Sequence, residues 1–167
     1  RDAQLNFLRV QQAASRLMRL SEARLRYIAG SEPIRKEILR DTLEMSLLFT
    51  QRSPKDSTPE AILRAAHAHR MVGDIEERLN DPITALQNYE QAITYYREVL
   101  RPNISFYHRP EVQNELVETM LLRWRVLEAV APDCAEGALD EAMELLDRQP
   151  ETTRLSWQTR STRAAVL

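Results

Sequence analysis

The sequence predicts an all-α fold of antiparallel helical hairpins, and three observations carry that prediction. Leu5, Leu8, Val10, Ala13, Leu17, Leu20 and Leu25 begin a pattern in which apolar residues return every three or four positions, as on one helix face and not along a strand. Prolines follow cap-type residues in Thr58-Pro59-Glu60 and Asn80-Asp81-Pro82, the place where a proline starts a helix. Val72-Gly73 is followed by Ala85, Tyr89 and Ala92. That spacing puts a glycine where two helices must nearly touch, and an alanine, an aromatic and an alanine along one stripe of the second helix.

Composition narrows the class. A chain of 167 residues, 43% hydrophobic and with three glycines, can bury one core as a single, mainly helical domain. A formal charge of −2 supplies no overall pull toward nucleic acid or an anionic membrane. Arg1 to Arg40 nevertheless carries nine basic against four acidic residues, while the remainder is acidic. Such asymmetry either steers a partner or reflects solvated helix faces. Cys134 is the single cysteine, which excludes an intrachain disulfide and a multi-cysteine zinc site. No apolar run approaches the roughly 20 residues that span a bilayer, and no signal-like segment opens the chain. Opening on Arg1 within helical sequence and closing on Arg163-Ala164-Ala165-Val166-Leu167, it reads as a soluble piece of a longer protein, compatible with a membrane-anchored parent. Localisation stays unassigned.

The elements follow in order. A first helix runs from about Asp2 to Arg26, and Gly30-Ser31-Glu32-Pro33 ends it, because glycine accepts a left-handed cap and proline starts a new helix. Ile34, Ile38, Leu39, Thr42, Leu43, Met45, Ser46, Leu47 and Phe49 form the buried side of a second helix. Gln51 to Pro59 is a polar connector. The third helix extends from Pro59 to about Leu79, and the fourth from Pro82 to about Leu100. Arg101 to Arg109 is a longer link. Pro110-Glu111 launches a fifth helix reaching about Val130, Ala131-Pro132-Asp133 breaks it, and Ala135 to Arg148 is the sixth. Residues after Pro150 begin a further helix, giving about seven in all. The organisation is one domain: an N-terminal helical pair (1–57), the best hairpin (58–101), a second, divergent hairpin (109–150) and the start of another helix (151–167). Two Pro-Glu starts, each followed by a long helix, a Pro-marked turn and a shorter alanine-rich helix, suggest a stacked repeat.

On these residues the third and fourth helices resemble a tetratricopeptide repeat, a 34-residue helical hairpin. With Gly73 at the family's small position, Ala85, Tyr89 and Ala92 fall on its alanine, aromatic and alanine positions, and Val72 takes the leucine place. His69 stands in place of tryptophan, Glu76 of tyrosine and Arg97 of the closing proline. In the second hairpin Ala138 and Pro150 match the alanine and proline, Ala142 takes the aromatic place, and Trp124 falls near the small one. That departure implies a wider helix separation or a shifted register. The order of parts from Asn6-Phe7 to Met120 is similar to the region that follows the kinase domain and membrane span in large bacterial Ser/Thr kinases of the Hanks type. The resemblance implies a right-handed superhelix, and a sensor or scaffold fragment of such a kinase.

Residues that could carry chemistry are sparse. No Gly-rich phosphate loop, His-Arg-Asp loop or Asp-Phe-Gly metal site is present. His67 and His69, two apart, point about 200° from each other on a helix and cannot share a metal. His69 is expected to pack within the hairpin. Asp74, Glu76 and Glu77, like Glu141 and Glu144, read as exposed acidic turns unless a cleft raises one pKa. Cys134, beside Asp133, has no identifiable base. Tyr95, Tyr96, Phe106 and Tyr107, interleaved with Arg97, Arg101 and Arg109, make either a stacking surface or the seam between hairpins.

The tetratricopeptide resemblance implies a hollow lined by the first helices of successive hairpins. His67, Arg70, Asp74, Glu77 and Arg78 point into it on the family's pattern. Arg70 stands where some members grip a peptide's terminal carboxylate, but Asp74 stands where those members carry asparagine, and it would repel such a ligand or pair with Arg70 at i, i+4. The expected function is therefore non-catalytic binding of a protein, peptide or partner helix on the concave face, without cofactor, metal, nucleic acid or membrane contact by this segment. The alternative is structural self-association of a larger protein, with Leu155, Trp157 and Val166 in the interface.

Overall fold

The computed structural model describes Ala13, Arg16 and residues 30–50, 58–102 and 109–148. Among the described residues the chain is all-helical, with no strand and five helices: α1 (Glu32–Thr50), α2 (Pro59–Arg78), α3 (Pro82–Val99), α4 (Arg109–Val130) and α5 (Pro132–Asp147). Ala13 and Arg16 are helical and exposed. The rest of the expected first helix lies outside the described residues, as do Phe106, Tyr107, Pro150, Trp157 and the helix expected after Pro150.

Caps explain where the elements begin and end. Gly30, two residues before α1, holds φ +80°, the left-handed conformation expected of it as a helix-ending glycine. Thr58 accepts the Ala61 amide on its hydroxyl at 3.3 Å, with Pro59 in the first turn of α2. The turn into α3 is a Schellman motif: Asn80 sits at φ 66°, its amide bonds the Glu77 carbonyl at 3.1 Å, and the Asp81 amide bonds Glu76 at 2.9 Å. Asp81 then caps α3, accepting from the Thr84 amide at 3.1 Å and its hydroxyl at 2.9 Å. At the far end of α3 the Arg109 guanidinium donates to the carbonyls of Leu100 and Arg101, tying the start of α4 to the last turn of α3. The last junction is tighter, a single residue, Ala131, with Pro132 opening α5. Pro132 therefore starts the helix that was expected to begin at Ala135.

Each helix packs on its neighbour in sequence. Leu39 of α1 packs on Met71 and Ile75 of α2, flanked by Leu43 and Leu79. Thr42, also buried, returns its hydroxyl to the Ile38 carbonyl at 2.7 Å, so no polar group is stranded. Ile34, expected on the buried side, is 54% exposed because it precedes by one turn the stretch of α1 that meets α2. Side chains at Met45, Ser46, Leu47 and Phe49 lie outside those described. The main core gathers Ile62 and Ala66 of α2, Tyr96 and Val99 of α3, Leu116 and Met120 of α4 and Ala142 of α5.

Within the α2–α3 hairpin Val72, Gly73, Ala85, Tyr89 and Ala92 are all buried. A Cβ at Gly73 would stand 2.7 Å from Tyr89 Cε1 and 2.8 Å from Cδ1. The ring therefore occupies the volume a side chain would need, and its burial contributes on the order of 2 kcal/mol. At Gly137 of α5, by contrast, a Cβ meets nothing within 4 Å.

These two glycines should respond in opposite directions. Gly73→Ala is expected to cost roughly 1–3 kcal/mol as the ring or helix is displaced. Gly137→Ala is expected to add about 0.5–1 kcal/mol, the helical advantage of alanine. Urea midpoints of the two variants against the parent chain measure both effects.

Candidate functional site

Three polar contacts join α2 to α4 at one constant sequence separation. His67 Nε2 meets Glu115 Oε2 at 2.6 Å, Arg70 donates to Glu118 at 3.0 Å, and Arg125 donates to both carboxylate oxygens of Glu77 at 2.8 Å. Partners are 48 residues apart in every case. A constant difference in residue number means that the two helices run in the same direction, while the pairings within each hairpin run oppositely. On either helix the three positions lie three and seven residues apart, one continuous stripe.

Tyr89 connects this ladder to the hairpin core. Its ring lies under Gly73, and its hydroxyl lies within donating distance of Asp74 Oδ1 (2.8 Å) and Glu77 Oε2 (3.0 Å). Burial, reinforced by those two carboxylates, pushes the phenol well above its ordinary pKa. Burial likewise raises the Asp74 carboxyl, against the pull of Arg70 and the Tyr89 hydrogen bond. Glu115 behaves differently: burial opposes its charge, but His67, Arg70 and the Tyr96 hydroxyl together outweigh it and hold the carboxyl below the ordinary range. The Arg70 guanidinium is held above its ordinary range, the surrounding groups prevailing over burial. Beneath Arg70 and Glu115 lies the buried Tyr96, whose hydroxyl is also pushed up by burial.

All five residues expected to line the hollow stand on α2, and each is engaged within the molecule. His67, Arg70 and Glu77 reach across to α4, and Asp74 takes the Tyr89 hydroxyl; Arg70 bonds Glu118 in place of its i, i+4 neighbour Asp74. Arg78 is exposed at the end of α2. His69 packs into the hairpin, stacked on Tyr95 at 5.6 Å, with Nδ1 donating to Asn88 Oδ1 at 3.0 Å. A second cluster forms where Arg97 and Arg123 both bond Glu141. Among the described residues no group of three or more His, Cys, Asp or Glu could hold a metal ion, and no helix is long and apolar enough to cross a membrane. Compared with models of protein families, with curated proteins and with solved structures, the chain matches none.

Glu115, Glu118 and Arg125 were not among the residues singled out from the sequence. The signal was present, since His67, Arg70 and Glu77 are answered 48 residues on by Glu115, Glu118 and Arg125, the Arg/Glu pattern reversed. Aligning Pro59 with Pro110 hid it, because that choice sets Trp124 opposite the Gly73 position, whereas the ladder sets Leu121 there, about one turn away. The register is shifted. Leu121 and Ala142 both belong to the main apolar cluster.

Asp74 and Glu115 give stability opposite pH dependences. A carboxyl whose pKa is raised by folding takes up its proton first in the folded state, so through Asp74 stability rises as pH falls, levelling off below the ordinary value of 3.8. Glu115, depressed, contributes fully above its ordinary 4.5 and loses that contribution as pH falls through its folded pKa. Asp74→Asn is therefore expected to be more stable than the parent chain near neutrality, with the gap narrowing toward pH 3.8. Urea denaturation at several pH values measures it, and a gap independent of pH would contradict the assignment.

Proposed function

We propose that this chain is a non-catalytic protein–protein interaction module of the tetratricopeptide kind, taking a peptide or a partner's helix along the face of α2 and α4. The carrying observation is the constant separation of the ladder, since parallel first helices of successive antiparallel hairpins are the arrangement that builds a right-handed superhelix with a concave side. The small-on-aromatic contact of Gly73 with Tyr89, and the burial of Val72, Ala85 and Ala92, support the same reading. His69, in the family's tryptophan place, fills it by stacking on Tyr95. From the resemblance between Asn6 and Met120 the parent chain is proposed to be a bacterial Ser/Thr kinase in which this region senses or scaffolds, and the flanking coding sequence tests that point.

The commitment of His67, Arg70, Asp74 and Glu77 to internal partners sets terms for the ligand. Exposed ion pairs are each worth under about 1 kcal/mol, so at the most exposed of these contacts, Arg125 with Glu77, a partner's carboxylate can exchange at small cost. A terminal-carboxylate clamp is disfavoured, because Arg70 is already bonded to Glu118 and Asp74 stands beside it. Recognition then draws on the most exposed side chains of this face, Arg78 and Arg125, and on groups released from the ladder.

A photo-crosslinking residue placed at exposed Arg78 or Glu111, on the α2–α4 side, should capture one discrete protein in cells. The same probe at exposed Ile83 of α3 should capture far less. Equal capture from all three positions, or capture from Ile83 alone, would overturn the choice of face.

A further inference from the structure

On the side of α4 turned away from the ladder lies a cleft of about 380 Å³. Leu116 and Glu118 are two residues apart, so their side chains project about 200° from one another. Half-buried Leu100 and Leu145 give the cleft its accessible apolar surface over the buried Leu116 and Met120, and Glu141 and Glu144 of α5 stand along one wall. Across it α3 and α5 are linked by Arg97 and Glu141. The sequence of α5 contains six acidic residues and no Lys or Arg. Arg97 and Arg123 balance Glu141 and Arg148 bonds Glu144, so the exposed negative charge of the helix is carried chiefly by Asp133, Glu136 and Asp140. Glu136, Asp140 and Glu144 are exposed at four-residue intervals, one ridge beside the cleft. Between them Gly137 has open space above it and Met143 is 43% exposed, so a second helix could approach closely there.

The chain itself contains sequence of the complementary kind. Residues 1–29 carry Arg1, Arg9, Arg16, Arg19, Arg24 and Arg26 against only Asp2 and Glu22, interleaved with leucines. Ala13 and Arg16 are helical and exposed. Within one copy, this region joins α1, which packs on α2, and three helices separate α1 from α5 in the packing order. We infer that the cleft and acidic ridge of α5 dock the basic N-terminal region of a second copy of this chain, leucines meeting the apolar edge of the cleft and arginines lying along Glu136 and Asp140. Joining the N-terminal region of one copy to the C-terminal half of another is a heterologous contact, which extends into chains instead of closing at a dimer. Opposite charge on the two surfaces makes it salt-sensitive. The inference is independent of the ligand proposed for the α2–α4 face, since its residues lie on the other side of α4.

Light-scattering mass of the full 167-residue chain across a concentration series, at about 0.01 M and about 1 M salt, tests it, since charges act over about 30 Å in the first and about 3 Å in the second. Mass should climb with concentration at low salt and fall back to the monomer at high salt. E136K/D140K and R16E/R19E, all of them polar substitutions, should each remain monomeric with unchanged circular dichroism, and an equimolar mixture of the two should regain association. A monomer at every concentration in low salt would overturn the proposal, and so would association that neither reversal affects. Association lost in E136K/D140K but kept in R16E/R19E would seat a different occupant on α5 and overturn the assignment to residues 1–29.

Discussion

The contact between Gly73 and Tyr89 is the constraint on which the arrangement depends. Removing a side chain at 73 lets the ring of Tyr89 lie directly against the α2 backbone, at a distance no other residue type permits. That approach accompanies the burial of Val72, Ala85 and Ala92 and carries the phenolic hydroxyl past Gly73 along α2. There it meets Asp74 and Glu77, and Glu77 is the residue that Arg125 grips from α4. One small-against-large contact thus fixes a hairpin and orients a group that bonds to the next.

Burial and charge have different roles in this scheme. Side chains such as Tyr89, Tyr96, Leu116 and Met120 are removed from water, each worth on the order of 2 kcal/mol, and they supply most of the stability. The ladder contacts are partly solvated, and each contributes at most about 1 kcal/mol. Their importance lies in register. Apolar surfaces tolerate sliding, whereas all three polar contacts are made together at one separation, and a slip of seven residues would set Arg70 against Arg125 or Glu77 against Glu118.

Much of this was legible in the sequence, for identifiable reasons. Prolines at 59 and 82, behind Thr58 and Asp81, mark helix starts because cap and first-turn chemistry are local. Gly73 with Ala85, Tyr89 and Ala92 was readable because a helical hairpin brings positions together by arithmetic. Register between hairpins was not, since the link from Arg101 to Arg109 has no fixed length and the Pro-Glu landmarks suggested an alignment one turn away from that of the ladder. Ile34 was misplaced because periodicity assigns a face without saying how far along the helix the neighbour extends. Nor could periodicity show that His67, Arg70 and Glu77 have partners on α4, which depends on that same register.

Nuclear Overhauser contacts of the Gly73 α-protons in the unmodified protein test the central claim most directly. With the ring stacked on the backbone, those protons should show strong contacts to the Tyr89 ring protons and resonances moved upfield by the ring current. Ordinary glycine resonances, with contacts to some other side chain and none to Tyr89, would contradict the account.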